Sequence, residues 1–104
     1  KGRLTLPSRF RPFLESGLVI TKGADRCLFL FPKSEWDDLK AKMDQLPILT
    51  SADARSMRRT FFGNASAQTL DAHGRITLPP ELRRFARIEK DVVGLGLSTY
   101  IELW

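Results

Sequence analysis

Apolar residues recur along the chain with two different periods. In residues 75–78 polar and apolar positions alternate, Arg75 and Thr77 on one side and Ile76 and Leu78 on the other, as in a half-buried strand. Residues 3–6 repeat this pattern, and a short helix is expected after each strand, because Phe10, Phe13 and Leu14, like Leu82, Phe85 and Ala86, fall at i, i+3, i+4. Two β-rich runs should follow in each case, joined by turns at 23–26 and 96–99. Between these blocks, Ser34 and Asp37 have the spacing of a capping box, and Trp36, Leu39, Met43 and Leu46 form one apolar stripe. Pro47 should end that helix. A second helix is predicted over about 53–60, with Ala54, Met57 and Phe61 on one face and Gly63 as its C-cap. Residues 65–70 read as a further strand.

The two β-rich blocks are copies. Gly2-Arg3-Leu4-Thr5-Leu6-Pro7 matches Gly74-Arg75-Ile76-Thr77-Leu78-Pro79 at five of six positions, 72 residues apart, and the same offset carries Arg11 onto Arg83. With one residue of slippage, Ile20, Gly23, Leu28, Leu30 and Phe31 fall on Val93, Gly96, Ile101, Leu103 and Trp104. Strand 65–70 has no counterpart before the first copy, and the helix after Pro32 has none after Trp104, so a longer natural chain is expected. Pro12 stands where the first short helix should be running, which predicts that this helix is short or starts late.

In Asp71-Ala72-His73-Gly74, Asp occupies the first and Gly the fourth position of a type I turn, which sets Arg75 at a hairpin tip. A guanidinium is a planar fork of five donors, able to meet guanine O6 and N7 or two phosphate oxygens at once. Arg3 holds the same place in the first copy, and Lys1, Arg9, Arg11, Arg83, Arg84 and Arg87 are candidates for nearby phosphate contacts. An ion pair between Arg75 and Asp71 is the plainer account of one such arginine. Duplication of the tip favours the nucleic-acid reading.

Charge points the same way: 17 Lys and Arg against 12 Asp and Glu give a formal net charge of +5, suited to a polyanionic partner. At 104 residues the chain fits one compact domain, or two small units sharing a core. The single cysteine, Cys27, can supply neither an internal disulfide nor a Cys-based zinc site and is expected as a small core residue in a reducing cytoplasm. His73 has no second His or Cys at ligand spacing and reads as an exposed turn residue able to touch a phosphate. Glu35, Asp37 and Asp38 suit a helix N-terminus better than a metal site. Trp36, Trp104 and the phenylalanines have the spacing of core or subunit-interface residues. No cofactor, metal or catalytic group is expected.

The paired Gly-Arg-Leu/Ile-Thr-Leu-Pro motifs, the Asp71-x-x-x-Arg75 spacing and Cys27-Leu28-Phe29-Leu30-Phe31-Pro32 followed by Glu35-Trp36 closely resemble the MraZ family over almost the whole chain. That family is similar to the AbrB and MazE swapped-hairpin DNA binders. The resemblance implies an α+β fold of two pseudo-symmetric β-rich units of double-split β-barrel type, 1–32 and 63–104, linked by helices in 33–62. It implies a bacterial, nucleoid-associated regulator of the division and cell-wall gene cluster. Such a regulator works as a ring of identical subunits, an octamer being one such form, and binds repeated promoter elements in double-stranded DNA. By the same resemblance Arg3 and Arg75 contact DNA, with Asp71, Gly2 and Gly74 supporting the turns. Two other classes stay open: an antitoxin-like or assembly module whose basic tips bind an acidic protein, and a nuclease or hydrolase, for which no metal cluster or nucleophile–base pair is found.

Overall fold

A computed structural model describes residues 2–104; Lys1, one of the expected phosphate contacts, lies outside the described residues. The elements follow in the order β1 (Arg3–Thr5), a 3₁₀ segment (Ser8–Leu14), β2 (Leu18–Lys22), β3 (Leu28–Pro32), α1 (Lys33–Met43), α2 (Ala52–Phe62), β4 (Ser66–Gln68), β5 (Arg75–Thr77), α3 (Pro80–Ala86), β6 (Gly94–Gly96) and β7 (Ile101–Leu103). The fold is mixed α+β with antiparallel pairing throughout. Two sheets form, a ribbon of β1 with β5 and a five-stranded sheet in the order β4-β2-β3-β7-β6, and neither closes into a barrel among the described residues.

Two sets of repeat-equivalent strands, β1 with β5 and β3 with β7, pair with each other. Leu4 faces Ile76 at the centre of the β1–β5 ladder, and Phe29 faces Glu102 at the centre of the β3–β7 ladder. Each half therefore completes the other's sheet. The shared core holds Leu6, Phe10, Leu14, Leu18, Ile20, Leu28 and Leu30 from the first half and Ile76, Leu78, Leu82, Ile101 and Leu103 from the second. On the opposite face of the large sheet, Val19, Phe31 and Trp36 pack with Phe29, Phe61, Phe62 and Tyr100 beneath α1 and α2. β2 is thus covered on both faces, and its buried Thr21 hydroxyl donates to the Phe61 carbonyl at 2.8 Å.

Several local expectations change. The Ser34–Asp37 capping box does not form, because α1 starts at Lys33 behind Pro32, and Asp37 instead accepts from Lys33 Nζ at 3.0 Å. In α2 the cap is Ser51, whose hydroxyl accepts from the Ala54 amide at 3.1 Å. Ala54 and Phe61 face the sheet, whereas Met57 turns to the rim and is 44% exposed. Pro12 is accommodated by a 3₁₀ turn rather than by delay, while its counterpart Arg84 sits in the regular helix α3. Phe13, expected on the buried side, is exposed. Trp36 is core, but Trp104 remains partly open, its indole donating to Glu102. Cys27 is fully buried, and desolvation pushes its thiol up to about 11, so it is protonated and inert at neutral pH.

Candidate nucleic-acid interface

The Asp71 carboxylate organises the second turn. Its Oδ1 accepts from the amides of His73 at 2.8 Å and Arg75 at 2.9 Å, and its Oδ2 accepts from Arg75 Nε at 2.8 Å. The Gly74 amide bonds the Asp71 carbonyl, the Asp71 amide bonds the Arg75 carbonyl, and Gly74 takes φ +71°. The expected hairpin is instead a tight turn leading from one sheet to the other, because β4 pairs with β2 and β5 with β1. These donors, the Arg75 amide foremost, hold the Asp71 carboxyl down at about 2. The expected ion pair of Arg75 forms through Nε, while its Nη groups make no hydrogen bond among the described residues.

Arg3 is exposed and lies on the neighbouring strand. Because Arg3 pairs with Thr77 and Thr5 with Arg75, all four side chains share the outward face of the ribbon, while Leu4 and Ile76 share the inward face. In such a ladder the two arginines are diagonal neighbours, about 7–8 Å apart. The duplicated motif therefore forms one surface with two guanidiniums. Two further bonds close the ribbon reciprocally, from the Leu6 amide to the Gly74 carbonyl at 3.1 Å and from the Leu78 amide to the Gly2 carbonyl at 2.7 Å.

The other candidates have different surroundings. His73 is exposed at the turn. The Arg11 Nε donates to the Leu6 carbonyl at 3.1 Å, and the Arg83 Nε donates to the Leu78 carbonyl at 3.2 Å. Arg84 is exposed and lines a shallow depression with Arg83 and Arg87. Arg9 turns elsewhere, its guanidinium 4.7 Å from the centre of the Phe10 ring, which itself abuts Gly96 of β6. One contributor escaped the sequence reading: Gln68 accepts from the Thr77 amide at 2.9 Å and donates back to the Thr77 carbonyl, so its side chain acts as a strand edge for β5. A glutamine in an otherwise small and polar strand carries no pattern that would reveal this. Among the described residues no three His, Cys, Asp or Glu side chains gather at metal-binding distance, and no helix is long and apolar enough to cross a membrane.

Fold and surface together define a small α+β protein built on an internal duplication, with a basic β-ribbon exposed on one side. Residues 1–59 and 61–104 match the family model described as "MraZ protein, putative antitoxin-like". The whole chain aligns with proteins named transcriptional regulator MraZ, at 49% identity in Moorella thermoacetica, 47% in Kineococcus radiotolerans and 45% in Desulforamulus reducens, covering 72% of each relative. The chain belongs to the MraZ family.

Proposed function

We propose that this chain is a transcriptional regulator that binds promoter DNA through Arg3 and Arg75. The observation that carries the reading is the β1–β5 register, which sets both arginines, with Thr5 and Thr77, on one outward face of a two-stranded ribbon. A ribbon of this kind fits the major groove of B-DNA, where an arginine fork meets guanine O6 and N7. Lys1, His73 and Arg84 add phosphate contacts, and Arg9, turned onto Phe10, adds only to the positive field. The names of the relatives support regulation rather than catalysis.

In this reading residues 1–32 and 63–104 are two AbrB-like units of double-split barrel type joined by the helical connection 33–62. Subunits assemble into a ring, octameric or of similar size, that aligns several ribbons along repeated elements spaced by about one helical turn, roughly 10 bp. The target is the promoter of the division and cell-wall cluster, the setting is the cytoplasm and nucleoid, and neither cofactor nor catalytic step is involved. Arg3→Ala and Arg75→Ala should each abolish the gel shift of promoter DNA while leaving assembly size unchanged, and wild-type binding should weaken steeply with salt. Wild-type affinity in both variants would falsify the assignment. The antitoxin-like description of the family favours one alternative, an acidic protein as the partner of the same arginines. That alternative predicts no discrimination between promoter and scrambled DNA.

A further inference from the structure

We propose that Arg11 and Arg83 are positioning residues, each seating its guanidinium on the left-handed glycine that precedes the other repeat's DNA-reading arginine. The proposal rests on the DNA reading of Arg3 and Arg75. Arg11 is anchored on its own repeat by the Nε bond to Leu6, whose amide in turn holds Gly74. A Cβ at Gly74 would fall 2.5 Å from the Arg11 Cζ, and one at Gly2 would fall 3.4 Å from the Arg83 Cζ. Arg11 thus fills the space over Gly74 that a side chain would need, whereas Arg83 lies in van der Waals contact over Gly2, where the Leu78 carbonyl at 3.1 Å is the nearer neighbour.

Gly74 and Gly2 have φ of +71° and +78°, and each directly precedes an arginine of the ribbon face. The backbone at such a residue aims the next side chain, so an element packed on it controls where Arg75 or Arg3 points. Both capping arginines are half-buried, unlike the exposed Arg9 and Arg84. A lysine could replace the charge but has neither the planar face nor the Nε–H. Arg83 repeats the Nε bond of Arg11 on the equivalent carbonyl and sits over Gly2 in looser contact.

Binding of the full chain to a promoter fragment, measured by fluorescence anisotropy across a salt series, separates the possibilities. Wild type and Arg75→Ala come first: no wild-type binding, or equal binding by the two, ends the DNA reading itself. Where that reading holds, Arg11→Lys and Arg11→Ala should both lose about tenfold or more in affinity, the scale of one well-placed arginine fork. The slope of log K against log salt should stay at the wild-type value. The amide resonances of His73 and Arg75 should shift in Arg11→Lys while the rest of the spectrum and the melting temperature hold. Arg83→Lys should act in the same way on Arg3. Recovery of wild-type affinity by lysine, a slope lowered by about 0.9 in Arg11→Ala, or unmoved turn amides would overturn the proposal, the first two marking Arg11 as a plain phosphate contact. If Arg11→Ala does not fold, the lysine variant, which keeps the charge and the aliphatic stem, decides.

Discussion

Asp71 does three things with one carboxylate: it closes a turn, orders the Arg75 backbone and holds the Arg75 side chain by Nε. All three bonds favour the ionised form, so the folded carboxyl titrates near 2, below its ordinary value of 3.8. A group depressed in this way supports the folded turn above its unfolded value and loses that support as pH falls from 3.8 towards 2. The carboxyl carbon of Asp71 should therefore titrate near 2 by NMR, with the His73 and Arg75 amides moving alongside it. Asp71 itself should add no pH dependence to the turn between about 5 and 8, since the carboxyl is fully ionised there. A midpoint at the ordinary value would mean that the three bonds do not persist in solution. Asp71 and Gly74 could be recognised from sequence because turn chemistry is local: the aspartate bonds its own neighbours, and the glycine answers a backbone angle. The seat of Arg11 on Gly74 could not, because those residues meet only when the two repeats pair.

Short strands need more than their ladder, and β5 shows how. Three residues long, it is held on one side by β1 and on the other by the side-chain amide of Gln68, which takes both backbone groups of Thr77. Gln68→Ala should cost about 1–3 kcal/mol for two lost hydrogen bonds, read as a lower denaturation midpoint, and should speed hydrogen exchange at the Thr77 amide. Gln68→Glu should also destabilise at neutral pH, since a carboxylate still accepts from the Thr77 amide but cannot donate to the Thr77 carbonyl and repels it. Protection at Thr77 unchanged in both variants would rule the clamp out. Helices and strands were found close to their predicted places wherever a periodic stripe faces a layer, as Trp36, Leu39 and Met43 do in α1. Termini shifted where proline set the backbone: Pro32 starts α1 before the predicted serine cap, and Pro12 converts its segment to a 3₁₀ turn.

Each half holds one hairpin of its own, β2–β3 or β6–β7, but the ribbon, the full five-stranded sheet and the main core need both. β1 lacks a partner without β5, β7 lies between β3 and β6, and the main core draws side chains from both repeats. The chain should unfold in one cooperative transition, with calorimetric and van't Hoff enthalpies in agreement. A peptide of residues 63–104 should show no such transition alone. A cooperative melt of that peptide would show that the second repeat is an independent unit and that the cross-repeat pairing is secondary.

Duplication, the strand–helix–hairpin plan of each repeat, the turn at Asp71 and the outward side of Arg75 all follow from patterns confined to a few neighbouring residues. Period, turn chemistry and charge act over such distances, so a single sequence carries them. Pairing of the repeats is different in kind. That Leu4 meets Ile76 and Phe29 meets Glu102, that Gln68 clamps Thr77, and that Arg3 and Arg75 share one face depend on which strand edges come together across some 70 residues of chain. Those choices belong to the burial of one common core, whose members are spread over both halves, and only the folded molecule makes them.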